Sequence, residues 1–314
     1  MATKENENGV KGFQMRQQVH RTKWETFKNA IYNPSTKEFL GRTGKSWGQL
    51  LTFYFIFYVV LAALFAICMQ ALLATLDDKE PKWQLERSLI GTNPGLGFRP
   101  ISERTEEGSL IWYDQKNETA INKWVKLIDK FLDPYLKEQN GKNFERCDFD
   151  KPANDSKVCE VNLDKYGDCS RENSYGYNSS SPCVFLKLNK IFGWVPEYYT
   201  NATDEMRKYD ADFAKFVETN GADHQVWVSC QGEKPVDKEN TGGFRYFPSQ
   251  GFPSYYFPYK NVKNYLSPLV AVQVLNTAPN VIISIECRAW AKNIKYSSSN
   301  LQREGSVRFE ILRD

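Results

Sequence analysis

The stretch LLTFYFIFYVVLAALFAICMQALLATL, residues 50–76, decides how the rest of the chain is organised. No charged residue occurs between Lys45 and Asp77. A helix needs roughly 20 apolar residues to cross a bilayer core of about 30 Å, so this run is long enough to span a membrane. A cleaved signal peptide would be shorter and nearer the N-terminus. A buried core helix would carry polar residues on one face. We therefore predict an uncleaved signal-anchor helix.

The charges on the two sides of this run predict its orientation. Nine Lys and Arg residues and only four Glu residues precede it. The acidic Asp77, Asp78 and Glu80 follow it closely. Because basic flanks stay in the cytoplasm, we predict a cytoplasmic N-terminus and an exported C-terminal part.

The run also divides the chain into four predicted segments. They are a cytoplasmic tail at 1–48, the transmembrane signal-anchor helix at 49–76, an extracellular connector at 77–117 rich in Pro and Gly, and a folded ectodomain at 118–314. Within the tail, residues 1–33 read as a mobile polar segment. The alternative is a short amphipathic turn at the membrane surface, because Trp24, Phe27 and Ile31 recur at helical spacing.

Cysteines and glycosylation sequons support export of the C-terminal part. Six of the seven cysteines follow the run, and an even number in an exported domain predicts disulfides, although six cysteines allow 15 pairings. The seventh, Cys68, lies inside the membrane run. All four Asn-x-Ser/Thr sequons also follow the run, at Asn117, Asn154, Asn178 and Asn201, and we predict glycosylation there. The pattern is typical of a type II membrane glycoprotein.

The exported part has the periodicity of a mainly-β domain with one flanking helix. Residues 120–136 carry apolar side chains at helical spacing and predict an amphipathic helix ended by Asp133-Pro134. Residues 226–230, 281–289 and 307–311 alternate with period two and predict half-buried strands. If Cys230 bonds Cys287, the bridge pins two strands of one sandwich core.

The residue types for catalysis are scarce in this chain. The formal net charge of +3 argues against nucleic-acid binding. Only two histidines occur, and no Gly-x-Ser-x-Gly motif accompanies them. The pairs Asp210/Asp212 and Asp148/Asp150 match a glycosyltransferase Asp-x-Asp motif by letter alone. A P-loop is excluded because Phe39 stands where its first glycine is required. We predict no enzyme, no cofactor and no metal.

Two aromatic surfaces are candidates for contact with a partner protein. Tyr54 and Tyr58 share one face of the membrane helix, where their hydroxyls meet either lipid headgroups or a neighbouring protein helix. Alanines in the same run allow close helix packing. Residues 242–268 place many aromatics among turn formers, which marks either a partner surface or a loop packed over the sandwich.

Several short motifs in this chain resemble those of one family. They are GRTGKSW at 41–47, FYFIFY at 53–58, NPGLGFRP at 93–100, YGY at 175–177, PC at 182–183, KLN at 187–189, YFPY at 256–259 and YLSPLVAVQ at 265–273. In this order, and with six cysteines, the chain resembles the β subunits of the Na⁺,K⁺-ATPase and, more distantly, of the gastric H⁺,K⁺-ATPase. Residues 206–219 differ from what vertebrate members show, which points to an invertebrate isoform.

The resemblance implies a fold and a set of contacts. The fold would be an immunoglobulin-like β-sandwich at 118–314 with disulfides Cys147–Cys159, Cys169–Cys183 and Cys230–Cys287. The chain would be a non-catalytic subunit in the plasma membrane that aids folding, export and stability of a P-type ATPase α subunit and modulates K⁺ affinity. The residues implied in contact with the α subunit are Tyr54, Tyr58, Tyr255, Tyr256 and Tyr259.

The sequence is also compatible with other partners and other functions. Membrane lipid surrounds the anchor helix, and we expect a small single-span regulatory subunit as a further partner. The alternatives to a Na⁺/K⁺ pump subunit are a type II cell-adhesion glycoprotein and the β subunit of an H⁺/K⁺ pump.

Overall fold

The computed structural model describes residues 23–34, 36–137, 139, 141, 143–154, 156–299 and 303–314. The chain forms two compact units, Met1–Leu76 and Asp77–Asp314. Most of the predicted mobile segment at 1–33 lies outside the described residues.

The described residues contain six α-helices and sixteen strands. The helices are α1 Lys23–Ile31, α2 Gly44–Leu73, α3 Glu118–Leu136, α4 Asp204–Tyr209, α5 Ala211–Asn220 and α6 Pro235–Glu239. The strands are β1 Tyr32–Asn33, β2 Glu38–Phe39, β3 Arg42–Thr43, β4 Leu96–Arg99, β5 Leu110–Tyr113, β6 Phe144–Glu145, β7 Val158–Cys159, β8 Cys183–Leu188, β9 Gln225–Gly232, β10 Phe244–Phe247, β11 Gly251–Pro253, β12 Leu269–Val274, β13 Ile282–Trp290, β14 Ser297–Ser298, β15 Arg303–Glu304 and β16 Ser306–Arg313.

The first unit consists of α1, a small antiparallel sheet and the long helix α2. Strands β1, β2 and β3 pair in that order. Helix α2 has 30 residues, so at 1.5 Å per residue it is about 45 Å long. Among the described helices, it alone is long and apolar enough to cross a membrane. The sequence favoured a mobile tail at residues 1–33. Residues 23–31 instead form a helix, which agrees with the alternative of an amphipathic turn.

The second unit is built on two packed sheets. One has the strand order β10-β12-β8-β4 and the other β11-β9-β13-β16-β5. Neighbouring strands are antiparallel except β16 and β5. Apolar side chains from both sheets meet between them, and the rings of Phe98 and Phe309 lie 5.2 Å apart. This is the predicted immunoglobulin-like sandwich.

Helix α3 covers the outer face of the four-stranded sheet. Its Trp124, Ile128 and Leu132 are buried, and Phe131 contacts Phe185 of β8. The helix was predicted to end at Asp133-Pro134, but it continues to Leu136 with Pro134 in its last turn. Proline there removes only one hydrogen bond, while the buried Tyr135 donates its hydroxyl to the Ser267 carbonyl at 3.0 Å.

Helices α4 and α5 cover part of the outer face of the five-stranded sheet. Met206 and Val217 pack there against Trp227 and Trp290. The guanidinium of Arg288 lies 3.7 Å from the ring centroids of Trp290 and Tyr296. Strand β13 is therefore buried on both faces, which corrects the prediction of a half-buried strand at 281–289.

The predicted connector at 77–117 supplies an edge strand to each sheet. Strand β4 pairs with β8, and β5 pairs with β16. The glycines and prolines of this stretch favoured an extended segment, but non-local pairing makes part of it sheet.

Three disulfides join Cys147 to Cys159, Cys169 to Cys183 and Cys230 to Cys287. The last pair links the adjacent strands β9 and β13 of one sheet.

Candidate partner-binding surfaces

The Tyr54/Tyr58 face of α2 is exposed in the part of the chain that the structure describes. The two rings stack with centroids 6.2 Å apart, and they are 45% and 60% exposed. Four-residue spacing continues the same row through Ala62 and Ala66. Side chains along this row change from aromatic to small, so another helix can approach closely beside the alanines.

Phe53 and Phe57 form a parallel row on the neighbouring face of α2. Their rings also stack, at 6.3 Å between centroids. The two rows have the same spacing and similar ring size, and they differ chiefly in the hydroxyls of Tyr54 and Tyr58. Any preference of a partner for the tyrosine row must therefore involve those hydroxyls or the alanines beyond them.

The aromatic segment of the second unit is partly packed. Tyr256 donates its hydroxyl to the Glu160 carbonyl at 2.7 Å, and Tyr265 donates to the Tyr256 carbonyl at 3.1 Å. Burial raises the pKa of both phenols above the ordinary value of about 10. These two tyrosines hold the segment on the domain, as expected for a loop packed over the sandwich.

Other rings of the segment remain half-buried and contact one another, and Tyr255 also contacts the exposed Phe149. Tyr255 contacts Phe149 at 5.4 Å and Tyr256 at 4.7 Å between ring centroids. Tyr259 donates its hydroxyl to Asn261 at 2.8 Å. We call Phe149, Tyr255, Tyr256, Tyr259 and Tyr265 the tyrosine surface. The packing supports the alternative of a loop held over the sandwich, and contact of this surface with a partner stays a prediction.

A lysine completes the tyrosine surface. The ammonium of Lys190 lies 5.1 Å from the Tyr259 ring centroid and 4.9 Å from that of Tyr265. Burial and the nearby Lys187 lower the pKa of Lys190. Neither Lys190 nor Phe149 was predicted from the sequence. No sequence pattern marks Lys190 as part of this surface. Phe149 lies two residues after Cys147, in a loop that the Cys147–Cys159 disulfide holds in place.

All four sequon asparagines are exposed. The side-chain oxygen of Asn117, Oδ1, caps α3 by accepting a hydrogen bond from the Thr119 backbone amide at 3.0 Å. A glycan is attached through the side-chain nitrogen, so this capping bond is compatible with glycosylation. In the sequon of Asn201, the Thr203 hydroxyl accepts from the Met206 amide and caps α4.

The other titratable candidates have structural partners. Asp210 caps α5 by accepting from the amides of Asp212 and Phe213. The ring of His224 stacks on Tyr198. Among the described residues, no group of three or more His, Cys, Asp or Glu is placed to hold a metal ion.

One apolar helix followed by a disulfide-bonded β-sandwich defines the class of anchored membrane proteins that carry a folded domain beside the bilayer. The sequence model of the "Sodium / potassium ATPase beta chain" family matches residues 17–309. This chain therefore belongs to the sodium/potassium ATPase β-chain family.

Individual relatives match over nearly the full length. The Drosophila melanogaster sodium/potassium-transporting ATPase subunit beta-1 is 52% identical over 99% of this chain and 100% of its own length. The Drosophila beta-2 subunit is 42% identical over 98% of both chains. The human beta-2 subunit is 32% identical over 91% of this chain and 93% of its own. Identity is thus higher with the fly proteins.

Proposed function

We propose that this chain is the non-catalytic β subunit of a Na⁺/K⁺-transporting P-type ATPase and assembles with its catalytic α subunit. The observation that carries the proposal is full-length similarity to sodium/potassium-transporting β subunits, at 52% identity with the fly beta-1 subunit. The uncovered Tyr54/Tyr58 face and the tyrosine surface supply two places for contact with a partner.

The complex resides in the plasma membrane with the N-terminus of this chain in the cytoplasm. The excess of basic residues before α2 supports this orientation. The three disulfides support an oxidising environment for the second unit. The exposed sequons Asn117, Asn154, Asn178 and Asn201 carry glycans on the same side of the membrane.

Helix α2 contacts a transmembrane helix of the α subunit through the row from Tyr54 to Ala66. A phenol hydroxyl within hydrocarbon requires a hydrogen-bond partner, and a protein helix provides backbone or side-chain acceptors. The small residues Ala62 and Ala66 allow the two backbones to approach. A small single-span regulatory subunit is a further membrane partner.

The tyrosine surface contacts the extracellular loops of the α subunit. Tyr255 and Tyr259 present ring faces there, whereas Tyr256 supports the surface through its bond to Glu160. Through these contacts the β subunit stabilises the α subunit, accompanies its export and modulates K⁺ affinity.

Co-purification tests the assembly. The full chain is expressed with an affinity tag and extracted from the membrane in a mild detergent. A P-type ATPase α subunit should co-purify in stoichiometric amount, with ATPase activity that requires both Na⁺ and K⁺. Recovery of the chain without such a partner would contradict the proposed function.

Paired substitutions in α2 test the membrane contact. The double variant Tyr54→Phe/Tyr58→Phe removes only the hydroxyls and should weaken α association by roughly 1 kcal/mol for each hydrogen bond lost. The matched control is Phe53→Leu/Phe57→Leu, which alters the neighbouring stacked pair. Recovery of the α subunit and K⁺ activation of the ATPase are the measurements. Equal recovery with both variants would refute a contact specific to the tyrosine row.

A further inference from the structure

The short helix α1 exposes a continuous apolar face. Trp24, Phe27 and Ile31 lie at spacings of three and four and are 64%, 56% and 38% exposed. The rings of Trp24 and Phe27 stack at 5.8 Å between centroids. Among the residues that the structure describes, none buries this face, and an exposed apolar patch of this kind marks a contact surface.

The small sheet after α1 continues the apolar surface. Tyr32, Phe39 and Leu40 are each about half exposed. Tyr32 of β1 pairs with Phe39 of β2, and the Leu40 amide donates to the Ile31 carbonyl at 2.7 Å. These bonds join the sheet to the end of α1, so the two elements form one surface. We call residues 23–43 the juxtamembrane platform.

The platform is tied to the first turn of the membrane helix. Trp47 of α2 donates its indole N–H to the Phe39 carbonyl at 2.8 Å, and the two rings lie 6.2 Å apart. Tryptophan and tyrosine favour the boundary between hydrocarbon and water. Trp47 therefore places β2, and through it the platform, at the level of the lipid headgroups.

The charge of the platform identifies what covers it. Residues 23–43 hold four basic and two acidic side chains, and the basic Lys45 follows in the first turn of α2. Lys28, Lys37, Arg42 and Lys45 are all exposed. The ammonium of Lys28 lies 5.8 Å from the Trp24 ring centroid, at the edge of the apolar face. Basic side chains beside an apolar, aromatic face are typical of segments that lie in the interface of anionic lipids.

We propose that the juxtamembrane platform lies on the anionic lipid surface of the membrane that α2 crosses. Trp24, Phe27 and Ile31 enter the boundary between headgroups and acyl chains, and the basic side chains contact lipid phosphates. This inference needs α2 to span the membrane but does not depend on the α subunit. A second protein surface over the same face is the competing occupant that the experiment separates.

Spin labels on opposite sides of α1 test the proposal. Full-length chain with Cys68→Ala, its disulfides intact, receives one new cysteine, either Phe27→Cys on the apolar face or Asn29→Cys on the opposite face. Each protein is reconstituted without the α subunit in nanodiscs containing phosphatidylcholine and phosphatidylserine. Collision rates with oxygen, which partitions into lipid, and with a water-soluble nickel chelate are measured by electron paramagnetic resonance.

The label at position 27 should show a clearly higher oxygen-to-nickel ratio than the label at position 29. Equal ratios at the two positions, or full access of the chelate to position 27, would overturn the proposal. If position 27 becomes shielded only after the α subunit is added, the occupant is a protein and the lipid proposal is wrong.

A charge variant tests the role of anionic lipid. Lys37→Gln/Arg42→Gln should lower the equilibrium constant for the surface-bound state by roughly fivefold for each charge removed. The oxygen-to-nickel ratio at position 27 should fall in parallel, and nanodiscs of phosphatidylcholine alone should reproduce the fall in the unmodified platform. A ratio independent of both the variant and the lipid charge would contradict an electrostatic contact with phosphates.

Discussion

At the scale of single residues, Glu107 joins the loop before β5 to helix α3. Its carboxylate accepts hydrogen bonds from Lys123, at 2.8 Å, and from the Ser102 hydroxyl. These bonds hold the pKa of Glu107 below its ordinary value, Lys123 having the largest effect. Because the folded pKa is the lower one, the resulting stability is present above the unfolded pKa of about 4.3 and is lost as pH falls through the folded value.

Removing the charge of Lys123 tests this pH dependence. Lys123→Met should lower the free energy of unfolding by up to about 1 kcal/mol at neutral pH, and the difference should disappear in acid. Urea unfolding of the full chain at several pH values, followed by tryptophan fluorescence, measures it. Lys126→Met, on an exposed position of the same helix, is the control and should leave stability nearly unchanged. A deficit that persists undiminished in acid would mean that Lys123 acts through packing instead.

Arg288 shows what a local pattern leaves out at this scale. Strict alternation in 281–289 indicated that its side chain faces away from the core, which is correct. It did not indicate that the residue would be only 7% exposed, with its guanidinium stacked between Trp290 and Tyr296 and paired with Glu205 at 2.8 Å. Trp290 follows on the same face of β13, but Tyr296 and Glu205 come from other segments, and alternation within one strand carries no information about them.

At the scale of elements, α4 is fastened to the five-stranded sheet by one fully buried side chain. Met206 is 0% exposed and lies against Trp227 and Trp290. Met206→Ala should therefore cost about 2–5 kcal/mol in the free energy of unfolding. Lys208→Ala, exposed on the same helix, should change it by less than about 0.5 kcal/mol. Urea midpoints of the two full-length variants provide the comparison, and similar midpoints would show that α4 contributes little to the fold.

The helices and strands differ in how well their local sequence predicts them. Period-two patterns predicted β9, β13 and β16, because alternation survives where one face is apolar. Strands β4 and β5 were missed, since each has only four residues and β4 also lies among glycines and prolines. The helix α3 was predicted from its spacing, but its C-terminus was set by the tertiary contact of Tyr135.

The two candidate surfaces also differ in how well the sequence predicts them. The Tyr54/Tyr58 face follows from helix geometry alone, so it could be read from the sequence. The tyrosine surface could not, because Lys190 and Phe149 reach it from distant segments. The disulfide pairing came from family resemblance, since spacing alone left the pairings open.

At the scale of the whole molecule, the three disulfides close loops of very different length. The bridge between Cys230 and Cys287 spans 57 residues, and that between Cys147 and Cys159 spans 12. In the chain-entropy account these closures stabilise the fold by about 4 and about 3 kcal/mol. Cys230→Ala/Cys287→Ala should thus lower the urea midpoint at least as much as Cys147→Ala/Cys159→Ala.

The control for the disulfide variants is Cys68→Ala, which removes the exposed free thiol of α2. It should leave the urea midpoint of the second unit unchanged. Should Cys230→Ala/Cys287→Ala unfold at the same urea concentration as this control, the central bridge would have no stabilising role.

The parallel pairing of β5 with β16 has a consequence for biosynthesis. Leu110 finds its partner Glu310 only after about 200 further residues have been translated. At common elongation rates this takes roughly 10–40 s. Throughout that interval β5 lacks its partner strand β16, and an unpaired strand is the kind of surface that aggregates. A nascent chain whose translation stops before residue 310 therefore exposes an unpaired β5. In a finished chain β16 covers that edge of β5.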